Sequence, residues 1–208
     1  MPIRAALFDI GGVLALAPDG SEPADQFDAL FARWDARQGT NGAIAAFVEE
    51  RRADASLGRI SVASWEAGIA QAGRLDADDL AVFLRAFWDL YLGAWNEPLG
   101  AWIAAHRPRL RVGLLSNSGV GAREREEARY GLAARVDTIV YSHEEGLAKP
   151  NPRIYERACA RLETPPQEVV FVDDISANLD AARALGMQGV LFRDTAETIR
   201  LLDALVSS

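Results

Sequence analysis

The sequence has little of what secreted, membrane-bound or nucleic-acid-binding proteins carry. Cys159 is the only cysteine among 208 residues, so no disulfide forms within the chain, which suits a reducing compartment. No run reaches the ~20 apolar residues of a membrane span, and Asp9 interrupts the first apolar run before it has the length of a signal-peptide core. The net charge of −8 and the absence of a basic tract argue against nucleic acid or an anionic membrane as a partner. We therefore expect a cytoplasmic protein.

Short apolar runs near the two ends of the chain predict buried parallel strands, because such strands are covered on both faces. The runs cover residues 5–8, 111–115, 138–141, 168–172 and 189–192. Helical patterns separate them, at residues 123–130, 152–162, 178–185 and 196–205. This alternation predicts an α/β fold, a Rossmann-like open parallel sheet with helices on both faces.

The segment from residue 16 to residue 93 shows no convincing strand, and its apolar residues recur at helical spacing. Polar and glycine-containing breaks divide it into four predicted helices. We interpret residues 16–93 as a helical cap domain inserted into a core domain formed by residues 1–15 and 94–208. Its aromatic residues are expected to pack in a core or between the two domains: Trp34, Trp65, Trp88, Tyr91 and Trp95.

Polar residues stand at the ends of three predicted strands. Asp9 follows the first strand, Ser116 and Asn117 follow the second, and Asp173 and Asp174 follow the run that ends at residue 172. Ligands of open parallel sheets bind at the carboxyl ends of the strands, so we expect these side chains to meet at one rim. Each of them alone would also suit a turn or a helix cap.

Lys149 stands in the segment GLAKPNPRIY, where two prolines fix the loop before a predicted helix. We expect it at the same rim, although a single lysine also suits the surface. Three carboxylates crowded together repel one another unless a cation is bound, and hard oxygen ligands favour Mg²⁺. A nearby lysine offsets charge and holds an anionic substrate. This set of groups suits phosphoryl transfer to an aspartate.

The motifs, in this order, resemble those of the haloacid dehalogenase superfamily of phosphatases, in the group with a helical cap inserted after the first motif. FDIGGVL is similar to motif I, LLSNS to motif II, GLAKPNPRIY to motif III, and VVFVDDISANLDAARALGM to motif IV in its double-aspartate form. The last segment is especially similar to that of the phosphatase domain of soluble epoxide hydrolases and of bacterial sugar-phosphate phosphatases. The resemblance spans the whole chain.

The resemblance implies a role for each residue that handles the phosphoryl group. Asp9 would be the nucleophile. Ser116 and Asn117 would grip the transferring phosphoryl group, and Lys149 would bridge the nucleophile and the phosphate.

The resemblance also implies a Mg²⁺ site. Asp9 and Asp174 would be direct ligands, together with the backbone carbonyl of Gly11, and Asp173 would support them. Asn178 takes the place where many members of the family carry a further aspartate.

Gly11 is the departure from the family pattern. Most phosphatases of the family carry a second aspartate there, which acts as general acid and then as general base, and such help typically contributes ~10²–10⁴-fold to the rate. We expect a rate that depends steeply on the acidity of the leaving group. Gly11→Asp should then raise the rate on alkyl phosphates, unless glycine holds a backbone conformation that aspartate cannot adopt. His143, a cap carboxylate or the substrate are alternative proton donors.

The sequence favours a Mg²⁺-dependent phosphatase of a small phosphorylated metabolite that works through a phospho-Asp9 intermediate. We expect the protein to be a monomer or homodimer. A 2-haloacid dehalogenase would use the same aspartate without a metal, but the charges of Asp173 and Asp174 would then be uncompensated. A binding or regulatory protein of low turnover has only Gly11 in its favour. A phosphorylatable receiver domain would leave the helical insertion unexplained.

Overall fold

A computed structural model of the chain describes residues 1–17 and 23–207. The strands are β1 (Ala5–Phe8), β2 (Ala15–Leu16), β3 (Ala94–Trp95), β4 (Arg111–Ser116), β5 (Thr138–Tyr141), β6 (Val169–Asp173) and β7 (Gln188–Leu191). Five of them form a parallel sheet in the order β5–β4–β1–β6–β7. The five predicted strands are confirmed, and β1 is buried over its whole length at the centre of the sheet.

Helices cover both faces of this sheet. The helices are α1 (Pro23–Gln38), α2 (Ala43–Ser56), α3 (Val62–Gly73), α4 (Ala77–Leu92), α5 (Glu97–His106), α6 (Ala122–Tyr130), α7 (Leu132–Arg135), α8 (Ser142–Glu145), α9 (Pro152–Arg161), α10 (Ser176–Ala184) and α11 (Thr195–Val206), with a short 3-10 helix at Pro166–Glu168. Neighbouring residues of a strand point to opposite faces. Phe8 accordingly packs in one core cluster with α5 and α11, and Leu7 packs in a second with α9 and α10. The predicted α/β fold is confirmed.

The helices α1 to α4 pack around one another through a cluster of buried aromatic side chains. Phe87 lies at its centre, with its ring centroid 5.0 Å from that of Phe27 and 5.1 Å from that of Trp65. Polar side chains start two of these helices, because Ser61 accepts from the Ser64 amide and Asp76 from the Asp79 amide. The four predicted helices are confirmed. In the residues that the structure describes, no helix is both long and apolar enough to cross a membrane.

Two features where the chain passes between the helices α1 to α4 and the sheet are not predicted from the sequence. In β2 and β3, Ala15 pairs with Trp95 and Leu16 with Ala94 in antiparallel register, so the two linking segments run side by side. Two-residue strands are too short to show a period. Helix α5 was also missed, because residues on several of its sides are buried and its sequence shows little amphipathic contrast.

Candidate active site

Three carboxylates meet at the carboxyl ends of β1 and β6. Asp9 directly follows β1, Asp173 ends β6, and Asp174 comes next in the chain. Carboxylate oxygens of the three residues lie within 4.8 Å of one another. Asp9 and Asp173 are buried, whereas Asp174 is exposed. The structure thus brings together the carboxylates that the sequence predicted to share a rim.

Lys149 lies between two of these carboxylates. Its Nζ is 2.8 Å from Oδ2 of Asp9 and 2.7 Å from Oδ2 of Asp173, and its side chain is only 1% exposed. Lys149 is also the only lysine in the chain, where arginine supplies every other cationic side chain apart from histidine. A compact ammonium group suits a position between two separate carboxylates better than a planar guanidinium does. The surface position considered for Lys149 is therefore excluded.

The charges of this cluster are not balanced by the protein alone, since one ammonium group faces three carboxylates. Burial raises the pKa of Asp9 to about 7, the Lys149 ammonium opposes that rise, and the charges of Asp173 and Asp174 add to it. A hard divalent cation with oxygen ligands would supply the missing positive charge. The donor set therefore fits Mg²⁺.

Asp173 is held in place from several directions. Its Oδ1 accepts hydrogen bonds from the Ile175 amide at 2.8 Å and from Nδ2 of Asn178 at 2.9 Å. Its Oδ2 accepts from Lys149 Nζ and, at 3.2 Å, from the same Asn178 amide group. Asn178 thus fixes the orientation of Asp173, as outer partners of metal ligands commonly do.

The side chain of Asn117 holds the loop that carries the lysine. Its Nδ2 donates to the carbonyl oxygen of Lys149, and its Oδ1 accepts from the Lys149 amide, both at 2.8 Å. Ser116 is buried and is the last residue of β4, the strand next to β1. Phosphate binding by Ser116 and Asn117 stays a prediction, and the structure adds a positioning role for Asn117.

Gly12 is a site residue that the sequence analysis missed. A Cβ atom there would overlap the Asp174 carboxylate, whose carbon would be 2.8 Å away, and φ of Gly12 is +75°. Only glycine adopts such a backbone angle at low cost. The pair of adjacent glycines was the signal that could have pointed to it.

A side chain at position 11, unlike one at position 12, would meet no steric obstacle. A Cβ atom there would meet nothing within 4 Å, and Gly11 is not among the residues with positive φ. A left-handed backbone conformation, the condition under which Gly11→Asp would be strained, is thus found at Gly12 and not at Gly11.

His143, an alternative proton donor, lies in α8 and is engaged elsewhere. Its Nδ1 is 3.0 Å from the hydroxyl of Ser118, and its ring lies against that of Tyr141. Burial lowers its pKa. These contacts tie His143 to the loop after β4.

The family model for haloacid dehalogenase-like hydrolases matches residues 3–186 of the chain. The chain belongs to this family. Four of the five strands of its sheet, its carboxylate cluster and Lys149 lie within the matched part of this haloacid dehalogenase-like hydrolase, and β7 follows it.

The sequences of two relatives align with most of this hydrolase's chain. Bifunctional epoxide hydrolase 2 of Sus scrofa is 28% identical over 98% of this chain and 39% of that protein. (S)-2-haloacid dehalogenase 1 of a Pseudomonas strain is 27% identical over 91% of this chain and 84% of that protein. The chain spans about two-fifths or less of the length of the epoxide hydrolases that it matches.

Solved structures share its fold. A haloacid dehalogenase family enzyme from Bacteroides thetaiotaomicron has a TM-score of 0.75 at 19% identity, covering 97% of this chain and 99% of that one. The same enzyme in complex with magnesium and inorganic phosphate has a TM-score of 0.71 at 21% identity, covering 92% and 95% of the two chains.

Proposed function

We propose that this hydrolase is a Mg²⁺-dependent phosphatase of a small phosphorylated metabolite. The observation that carries the proposal is the position of Lys149, bonded to Asp9 and Asp173, with Asp174 completing a cluster of oxygen ligands. The Bacteroides enzyme, which has a similar fold, was solved in complex with magnesium and inorganic phosphate. This similarity supports binding of the same two ligands by this hydrolase.

The reaction that we propose has two displacements at phosphorus. The carboxylate of Asp9 attacks the phosphorus atom, the bond to the leaving oxygen breaks, and the phosphoryl group stays on Asp9. Water then attacks the same phosphorus, which frees Asp9 and releases phosphate. The ammonium group of Lys149 compensates negative charge on Asp9 and on the phosphoryl oxygens, and Ser116 and Asn117 hold those oxygens.

Asp9, Asp174 and the carbonyl of Gly11 would hold the Mg²⁺ ion, with Asp173 in support. The ion, when bound, supplies charge neutralisation between the carboxylates and the phosphoryl group. Asn178 keeps Asp173 in the required orientation.

We also propose that residues 16–93 act as a cap on the core formed by residues 1–15 and 94–208, and that this cap excludes water during phosphoryl transfer. The side-by-side course of the two linking segments in β2 and β3 supports a hinge at this place. We further propose that the protein is cytoplasmic and is a monomer or homodimer.

The test is a screen of phosphorylated metabolites with and without Mg²⁺, scored by release of phosphate. Asp9→Asn should abolish release, because the amide is nearly isosteric but a poor nucleophile. Asp180→Asn, at an exposed aspartate of α10, is the matched control. Beryllium fluoride with Mg²⁺ should give a stable acyl-phosphate mimic on Asp9 in the wild type. Turnover by Asp9→Asn above a few per cent of wild type would rule out the covalent mechanism.

Hydrolysis of a 2-haloacid is the second candidate, favoured by the likeness to the Pseudomonas dehalogenase over most of both chains. Asp9 would attack carbon in place of phosphorus. The carboxylates of Asp173 and Asp174 argue against a site without a metal. Chloride release from 2-chloropropionate at equal rates in chelator and in Mg²⁺, with no phosphate release, would favour this candidate over the phosphatase.

A further inference from the structure

A buried carboxylate that the proposed mechanism does not use lies on α6. Glu126 is 2% exposed, and its Oε2 accepts a hydrogen bond from the hydroxyl of Tyr141 at the end of β5. Tyr141 pairs with Ser116, the last residue of the neighbouring strand β4. The residue that binds Glu126 is therefore adjacent to a residue predicted to bind phosphate. Burying a carboxylate is costly, and such groups concentrate at functional sites.

Tyr91 connects this carboxylate with the helices of the insertion. It stands in the last turn of α4, close to the second linking segment, and it is half-buried. The hydroxyl of Tyr130 on α6 donates to the carbonyl oxygen of Leu92, the residue after Tyr91, so this end of α4 lies against the helix that carries Glu126. Burial raises the pKa of Tyr91, and the charges of Glu126 and Asp9 add to the rise. Tyr91 and Glu126 therefore stand on two helices that pack against each other.

Charged and titratable groups surround Glu126 from four elements. Burial raises its pKa to about 7, and the charge of Asp9 adds to the rise, whereas the hydrogen bond from Tyr141, the interaction with Tyr91 and the charge of Arg123 lower it. The charge of Glu126 in turn helps to raise the pKa of Tyr130, whose own hydroxyl donates to the Leu92 carbonyl. A group that is partly protonated near neutral pH suits a general acid that later acts as a base.

We propose that Glu126 and Tyr91 form a proton relay that replaces the carboxylate missing at Gly11. This inference rests on the proposed phosphatase function. As the bond between phosphorus and the leaving oxygen breaks, that oxygen takes the hydroxyl proton of Tyr91, and Tyr91 takes the carboxyl proton of Glu126. When water attacks phospho-Asp9, its proton passes to Tyr91 while the Tyr91 proton returns to the Glu126 carboxylate. Each cycle restores both residues.

Two other titratable side chains near Glu126 already have partners. His143 is bonded to Ser118, and Glu66 of α3 forms an ion pair with Arg125 at 3.2 Å. Arg125 in turn lies over the ring of Trp88, 4.1 Å from its centroid. The charge of Asp9 acts on Glu126 and Tyr91, and it acts also on Tyr155, whose hydroxyl is engaged by the carbonyl oxygen of Asn178.

The test compares two substrates whose leaving groups differ in their need for a proton. The value of kcat/KM reports the steps up to formation of phospho-Asp9. Glu126→Gln should lower kcat/KM for ethyl phosphate by about 10²-fold, and for 4-nitrophenyl phosphate by less than about threefold, since nitrophenolate leaves without protonation. Tyr91→Phe should show the same selective loss. Glutamine still accepts a hydrogen bond from Tyr141, so the fold should be retained.

The matched control is Glu124→Gln, which makes the same change at an exposed position of α6 and should leave both values unchanged. Equal losses on both substrates would assign Glu126 a merely structural role, and no loss on ethyl phosphate would also overturn the relay. Beryllium fluoride should still bind at Asp9 of Glu126→Gln. Absence of phosphate release and of beryllium fluoride binding in the wild type would instead overturn the proposed function, and the relay with it.

Discussion

Gly12 makes room for Asp174: a Cβ atom on Gly12 would lie 2.8 Å from the carboxyl carbon of Asp174. The side chain proposed as a metal ligand thus depends on the absence of a side chain at a position far earlier in the chain. The neighbouring Gly11 faces open space, so the two glycines make a matched pair for substitution.

Gly12→Ala should weaken Mg²⁺ binding and lower phosphatase activity together, because the methyl group displaces the Asp174 carboxylate. It should also lower the free energy of unfolding by about 1–2 kcal/mol, the cost of the left-handed region for a residue with a Cβ. Gly11→Ala should change neither quantity by much. Calorimetric titration with Mg²⁺ and urea unfolding measure the two effects. Equal Mg²⁺ affinities for the two variants would contradict the role assigned to Gly12.

The rim of the site could be predicted from sequence because parallel strands end at one edge of the sheet. Asp9 and Asp173 stand at strand ends, so their meeting follows from the strand pattern. Lys149 lies in a loop after α8, where the hydrogen bonds from Asn117 to its backbone hold it at the same rim.

Glu126 could not be found in the same way. Helix α6 has the sequence AREREEARY, which is typical of a solvated surface helix. Glu126 is buried because α6 packs against α4 and because Tyr141 of β5 donates to its carboxylate. Tyr91 was expected merely to pack in a core or between domains for a similar reason. The helical spacing of a tyrosine does not show which side chain its hydroxyl will contact.

Lys149→Met should destabilise the protein strongly, because the side chain keeps its length but leaves Asp9 and Asp173 without their ion-pair partner. Loss of one partner of a buried ion pair costs about 3–5 kcal/mol. Urea unfolding without added metal measures this loss. Lys149→Arg keeps the charge but should still be inactive, because a guanidinium is too broad for the position that the ammonium fills. A wild-type unfolding midpoint for Lys149→Met would show that the ion pairs contribute nothing.

Glu126→Gln should change how stability depends on pH. The pKa of this carboxyl rises from 4.5 to about 7 on folding, so the folded protein binds the proton more tightly than the unfolded chain. The stabilisation from this group is complete below its unfolded pKa and is lost as pH rises through the folded pKa.

The free energy of unfolding of the wild type, relative to Glu126→Gln, should therefore fall as pH rises from about 4.5 to 7, by on the order of 3 kcal/mol. Urea unfolding at several pH values measures the difference, and Glu124→Gln should follow the wild type. Parallel curves for wild type and Glu126→Gln would show that Glu126 has the same pKa in both states.

Gly11→Asp should restore the lost proton donor when it is combined with Glu126→Gln. The aspartate has room, since a Cβ atom at this position meets nothing within 4 Å and φ is not positive. In the double variant, kcat/KM for ethyl phosphate should recover by up to about 10²-fold over Glu126→Gln, the lower end of general-acid effects. In the wild-type background the gain should be small, because the relay already supplies the proton. A large gain in the wild-type background, equal to that in the double variant, would show instead that no residue replaces the carboxylate missing at Gly11, and that the steep dependence on the leaving group expected from the sequence is the true behaviour.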